Sequence, residues 1–234
     1  MRRWTTAVVI WGFFVAAGTA WSASKQEERL ADANEVLGQI MQTPDKAIPK
    51  DLLARAACIG IIPSVKKLAL GFGGRHGAGF VLCRKNKGKG PWGPPSGFSM
   101  SGGSFGLQLG VSATDFVLLF MNADGVEKLL QDKFTLGADA AVAGGPVGRT
   151  AGVATDAQMS AKILGYSRSK GLFAGAALEG AVLRPSGGDN EELYGRKVSA
   201  RQLLLDGNIA PPKAAGPLIQ ALVKYSAGQT KKAP

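Results

Sequence analysis

The run Lys67-Leu68-Ala69-Leu70-Gly71-Phe72-Gly73-Gly74-Arg75-His76-Gly77-Ala78-Gly79-Phe80-Val81-Leu82-Cys83-Arg84 decides the fold. Two short apolar segments, Lys67 to Gly73 and Gly77 to Arg84, flank the turn-forming residues Gly74, Arg75 and His76, which predicts a β-hairpin. Working outward, Ile59, Ile61 and Ile62 before Pro63 read as the start of the strands. Phe105, Leu107, Leu109 and Val111 alternate with small or polar residues, the mark of a half-buried strand. Thr114 to Met121 is a continuous apolar run that suits a buried central strand, although periodicity alone also fits a buried helix. The loop Gly88 to Gly97, with Pro91, Pro94 and Pro95 around Trp92, is expected to be irregular.

Helices are expected at both ends of this sheet. From Ser24 to Gln42, Leu30, Ala33, Leu37, Ile40 and Met41 recur every three or four residues between charged ones, predicting an amphipathic helix with an acidic polar face. Pro44 and Pro49 break it, and a short helix is expected from Lys50 to Ala57. Val126 to Gln131, Ser199 to Leu205 and Ala214 to Ser226 also read as helices, the last bearing Leu218, Ile219, Leu222 and Val223 on one face. Leu136 to Ala154 gives no clear period. Met159 to Ser167 and Leu172 to Leu183 read as a second hairpin around Ser169, Lys170 and Gly171. The fold class is α+β: one antiparallel, sheet-rich domain with an N-terminal amphipathic helix and C-terminal helices.

The first 20 residues carry Arg2 and Arg3, an apolar run from Ala7 to Ala17, and the small triplet Gly18, Thr19, Ala20. That order is a secretory signal peptide, with cleavage expected after Ala20. The apolar run falls short of the roughly 20 residues that span a bilayer, and the alternative is an uncleaved anchor from Trp4 to Trp21. The expected organisation is residues 1–20 signal peptide, 21–227 one domain and 228–234 a frayed tail. An exported chain, periplasmic or secreted and peripheral on a membrane, follows. In that compartment Cys58 and Cys83 could form a disulfide, or they could be two small buried hydrophobes.

The formal charge is +11, and from Leu52 to Thr114, 63 residues, there is no Asp or Glu. Arg55, Lys66, Lys67, Arg75, Arg84, Lys85, Lys87 and Lys89 put eight positive charges there, so one segment carries the basicity. Such a stretch suits an anionic surface, phospholipid or nucleic acid, or else is a solvated loop. Phe72, Phe80, Trp92 and Phe98 interleave as a base-stacking platform would require, but export removes nucleic acid as an expected partner.

Catalytic readings fare poorly. Gly102-Gly103-Ser104-Phe105-Gly106 matches the G-x-S-x-G nucleophile elbow, which needs a strand-to-helix turn and a histidine after the serine. His76, the one histidine, precedes Ser104, and a strand follows. A histidine-first triad with Asp115 is the residual form of a serine hydrolase. One histidine and two distant cysteines do not compose a zinc site, and neither phosphate-loop motif occurs. The expectation is no enzyme, no metal and no cofactor.

Several strings resemble the SYLF domain family: Ile61-Ile62-Pro63-Ser64-Val65-Lys66-Lys67, Gly73-Gly74-Arg75-His76-Gly77-Ala78-Gly79, Trp92-Gly93-Pro94-Pro95 and Gly144-Gly145-Pro146-Val147-Gly148-Arg149. They continue with Tyr166-Ser167-Arg168-Ser169-Lys170-Gly171-Leu172-Phe173-Ala174-Gly175 and with Leu178-Glu179-Gly180 ahead of Tyr194-Gly195, covering roughly Lys25 to Tyr225. The resemblance implies an α+β domain that binds anionic lipids, phosphoinositides in eukaryotic members, with no known catalytic role. Some fungal members also bind actin and bring a Src-homology-3 domain, and actin binding is not carried over to this chain. The export signal and the family's distribution together imply a bacterial source. The expected lipid-binding residues are Lys66 and Lys67 first, then Arg75 and Arg84, with Lys85, Lys87 and Lys89 in the same basic segment. The competing class is a structural or protein-partner-binding envelope protein whose partner the sequence leaves unnamed.

Overall fold

The computed structural model describes residues 23–227 except 44–46, 71, 106–109, 123, 149–160, 170–171, 176–177 and 207. The leader and the tail expected from the sequence lie outside these residues. Helix α1 (Lys25–Met41) starts at Ser24, whose side chain accepts from the Glu27 N–H while the Glu27 carboxylate accepts from the Ser24 N–H. This reciprocal capping box satisfies two of the first turn's free donors. Leu30, Ala33, Val36, Leu37 and Ile40 of α1 are buried, each of the larger ones worth about 1.5–3 kcal/mol in removal from water. Helix α2 (Lys50–Arg55) follows, then the long strands β1 (Cys58–Leu70) and β2 (Phe72–Cys83).

Beyond the short helix α3 (Lys85–Gly88) come β3 (Ser96–Phe105), β4 (Gly110–Phe120), α4 (Asp124–Leu129), β5 (Phe134–Thr135), β6 (Val142–Gly144), β7 (Ile163–Ser169), β8 (Leu172–Gly175) and β9 (Val182–Pro185). The chain ends with α5 (Gly187–Tyr194), a π-helical turn (Gln202–Asp206) and α6 (Gly216–Ser226). Among the described residues these nine strands form one sheet in the order β5-β9-β3-β2-β1-β4-β7-β6, with β8 on β7 beside β6. Pairing is antiparallel except between β6 and β7. The run expected as a buried strand lies in central β4, where Phe116 to Phe120 are buried, as an apolar stretch covered on both faces requires.

Period-two alternation divides the sheet between two cores. Ile59, Ile61, Phe80, Leu82, Val117 and Leu119 face α1, α2 and α6. Cys58, Ile62, Val81, Phe98, Leu118 and Phe120 face the other side, under α4 and the π-helical turn. Packing on the first face is completed by Trp92, whose Nε1–H donates to Ser226 Oγ at 3.1 Å and ties the Trp92-Gly93-Pro94-Pro95 string to α6.

Several sequence expectations are corrected. Gly74, Arg75 and His76 are not a turn; they pair with Leu68, Lys67 and Lys66 in mid-strand, and the β1–β2 connection lies at Leu70 to Phe72. A glycine within a strand and a glycine in a turn look the same in one dimension; close backbone approach is the reason for glycine further along β2, at Gly77 and Gly79. The Phe105 to Val111 strand straddles the end of β3 and the start of β4, with 106–109 outside the described residues. Leu172 to Leu183 is two strands, β8 on β7 and β9 on β3, so only its first half belongs to the second hairpin. The expected loop from Gly88 begins on the last residue of α3, and Ser199 to Leu205 is mainly the π-helical turn. Helix α5 was not foreseen: its start is Ser186, which accepts from the Asp189 N–H, ahead of two glycines.

Candidate anion-docking site

One irregularity in β1 positions the site. Ile61 pairs with Phe80 and Lys66 with His76, so β1 spends one residue more than β2 between those points, and β4 records the same excess between Ile62 and Val65. Ser64 sits in this bulge with φ 50°, a left-handed conformation that a non-glycine residue adopts only when held. The Asp115 carboxylate holds it, accepting from the Ser64 N–H at 2.8 Å and from Arg168 Nε and Nη2 at 2.8 and 2.7 Å. Opposite the bulge, a Cβ on Gly79 would stand 2.1 Å from the Ile61 carbonyl oxygen, and one on Gly77 2.6 Å from Val65 Cγ2. The Pro63-Ser64, Gly77-Ala78-Gly79 and Arg168 strings are therefore one device that kinks β1 immediately before Lys66 and Lys67.

Past the bulge, adjacent residues point to opposite faces. Lys66 pairs with His76 on the face of α1, and both are exposed. Together with Lys25, Glu28, Arg29 and Asp32 of α1 they line an open groove of about 390 Å³. Lys67 pairs with Arg75 on the opposite face, both half-buried, where they line a cavity of about 140 Å³ with Val65, Thr114 and Phe116. Burial lowers the Arg75 pKa from its usual value, yet a guanidinium still remains charged. The Arg75 side chain passes over Gly102 of β3, where a Cβ would be 3.1 Å from Arg75 Nε. One position beyond Lys67, on the Lys66 face, Leu68 is 57% exposed.

The remaining predicted cations lie elsewhere. Arg75 and Arg84 are nine residues apart along β2 and its exit, about 30 Å at the rise of a strand. At that far end Cys58 and Cys83 are directly opposed in the β1–β2 register and joined by a disulfide. Arg84 stacks on Trp92 at 4.3 Å and donates to the Gly90 carbonyl at 3.3 Å. Burial lowers its pKa too. Lys85 and Lys87 lie on α3 and Lys89 just after it, Lys85 and Lys89 being exposed. The acid-free segment is thus two separate basic regions, with Arg84 bracing a loop.

Other strings fall to packing. A Cβ on Gly145 would lie 2.1 Å from Tyr166 Cζ, and the Tyr166 hydroxyl donates to the Pro146 carbonyl at 3.3 Å. The Tyr194 hydroxyl donates to the Pro95 carbonyl at 2.6 Å. Burial raises the pKa of both phenols. Ser104 lies inside β3 opposite Gly73, not at a strand-to-helix turn. Asp115 gives both carboxylate oxygens to Ser64 and Arg168, so the histidine-first triad has lost its acid. Among the described residues no group of His, Cys, Asp and Glu could hold a metal, and no helix is long and apolar enough to cross a membrane. Sequence reasoning missed Asp115 with Arg168, which only the β4–β7 register brings together. It also missed that neighbouring lysines on a strand face apart, which period two already signals.

The fold and this surface define an α+β domain that presents cations at one end of a two-faced sheet. A family model described as Ysc84, Las17-binding protein actin regulator, matches residues 101–225. Similar proteins include LAS seventeen-binding protein 3 of Saccharomyces cerevisiae, 36% identical over 192 residues, which are 81% of this chain and 40% of that one. The yeast Protein YSC84 is 34% identical over 203 residues, 86% of this chain and 42% of its own. The human SH3 domain-containing YSC84-like protein 1 is 31% identical over 205 residues, 87% of this chain and 58% of its own. The chain belongs to the Ysc84, or SYLF, domain family. It spans roughly half the length of these relatives.

Proposed function

We propose that this chain is an exported, non-enzymatic module that docks on anionic phospholipid surfaces through the end of the sheet bearing Lys66, Lys67 and Arg75. The observation that carries the reading is their clustering past the bulge, beside exposed Leu68, in a segment without Asp or Glu from 52 to 114. Each cation near an anionic surface contributes about 1 kcal/mol before screening, and insertion of Leu68 adds a smaller apolar share. Arg84 leaves the proposed set because Trp92 and Gly90 already engage it. Behind the leader of residues 1–20, the ligand is a phospholipid of a bacterial envelope, with phosphoinositides and actin outside its reach.

A second reading, recognition of a protein partner, is favoured by relatives named for binding LAS seventeen. Vesicle co-sedimentation separates the two. Binding to phosphatidylglycerol vesicles and not to phosphatidylcholine vesicles, weakening with salt as the Debye length shrinks below about 10 Å, is the expected result. No binding at low salt, or equal binding by the Lys66→Glu/Lys67→Glu chain, sinks the lipid reading.

A further inference from the structure

The cavity between β1, β2 and β4 combines features that a solvated basic surface does not need. Its floor is apolar and closed, with Val65 1% and Phe116 7% exposed. Its rim carries two cations, Lys67 and Arg75, and no acid. Arg75 Nε is buried and has no hydrogen-bond partner among the described residues, and a buried guanidinium donor left without an acceptor is a costly arrangement unless something supplies one. Gly102 of β3 leaves room for Nε, which a Cβ there would approach to 3.1 Å, and the Arg75 side chain also lines the cavity on its β1 side. Two cations of this kind suit a tetrahedral oxyanion with several acceptor oxygens, while the Val65 and Phe116 wall suits methylenes.

We infer that this cavity binds a single phosphate ester, its phosphate oxygens on Arg75 and beside Lys67 and the first carbons of its alkyl stem on Val65 and Phe116. The volume, about 140 Å³, admits a phosphate and a few carbons, not an inositol ring or a nucleoside. The inference deepens the membrane reading and rests on it for the source of the ester, a phospholipid drawn partly from the bilayer. A soluble alkyl phosphate would satisfy the same contacts.

Titration calorimetry with octyl phosphate and with inorganic phosphate on the whole chain tests the cavity apart from any membrane. Saturable one-to-one binding of octyl phosphate is expected, with inorganic phosphate at least tenfold weaker. Arg75→Gln and Thr114→Phe, the second filling the cavity without touching charge, are each expected to weaken octyl phosphate at least tenfold. Circular dichroism and the unfolding midpoint report whether each variant folds, and should Arg75→Gln unfold, Thr114→Phe carries the test. Absence of saturation, equal binding by folded variants, or inorganic phosphate binding as tightly as octyl phosphate overturns the inference. Phosphatidylglycerol vesicles form the separate arm. Vesicle docking without octyl phosphate binding overturns the cavity and leaves the membrane reading standing, whereas the reverse result supports the cavity and sinks the membrane reading.

Discussion

The two ends of the β1–β2 hairpin have opposite characters although one acid-free segment builds both. At the Cys58 and Cys83 end the strands are covered on both faces, a disulfide joins them, and Arg84 is spent on Trp92 and Gly90. At the Lys66 and Arg75 end, helices no longer cover the sheet fully: Lys66, His76 and Gly74 are exposed, and Leu68 is mostly so. The same residue type therefore does two jobs. An arginine stacked on an indole and bonded to a loop carbonyl braces a loop; an arginine on the rim of an apolar-floored cavity can meet a ligand. A basic run in a sequence measures charge, and only the surroundings of each cation say which charges are for sale to a partner.

The sharpest way to break this comparison is at the joint between the two ends. Gly79→Val puts side-chain atoms into the Ile61 backbone, which cannot retreat, so a loss of about 3 kcal/mol or more in urea unfolding is expected. A near-neutral result would show that the bulge is not what sets Lys66 and Lys67. Removing the disulfide with Cys58→Ala/Cys83→Ala opens a loop of separation 25 and should cost about 3 kcal/mol by chain entropy, while vesicle binding of the folded protein stays unchanged. Lys66→Glu/Lys67→Glu should do the converse: an unfolding midpoint close to the parent's, and vesicle affinity down by at least about thirtyfold, the worth of two lost cations at about 1 kcal/mol each before the repulsion of the two added carboxylates.

Alkaline titration sharpens the same contrast. Burial raises the Tyr166 and Tyr194 pKa values in the folded chain, whereas in the unfolded chain the phenols ionise near pH 10. Their contribution is whole below about pH 10 and is lost as pH climbs toward the folded values, with a slope of up to about 1.4 kcal/mol per pH unit for each tyrosine. Tyr194→Phe should flatten that slope in unfolding measured from pH 9 upward, and an unchanged slope would show that the phenol is not the group responsible. The smallest effect is expected from Arg84→Gln: about 1 kcal/mol of stability from the lost stacking and hydrogen bond, with vesicle affinity held within twofold. A larger fall in affinity than in stability would return Arg84 to the docking surface.

Much of the architecture was legible before any coordinates. The spacing from Leu30 to Ile40 specifies α1, and the apolar run from Phe116 to Phe120 specifies a buried segment that period alone left between strand and helix. These signals are local, because side-chain periods are properties of neighbouring residues. Glycine was the weak point. Gly74 suggested a turn yet pairs within a strand, and Gly77 and Gly79 sit in β2 to admit the bulge of β1, a requirement imposed by residues some fifteen positions away. Helix α5 escaped notice for a related reason: its buried Asn190, which accepts from the Gly97 N–H at 2.7 Å, is polar, and a polar residue in the core leaves no hydrophobic period to read.

By itself the sequence determined the charge, the acid-free segment, the α+β class and the family strings, since composition, period and motif order are written along one chain. Tertiary structure alone decided which cations meet. Register placed Lys67 beside Arg75 and Lys66 beside His76, joined Asp115 to Arg168 under Ser64, and carried Arg84 about 30 Å away along the strand, because strand pairing sets distances that separation along the chain does not.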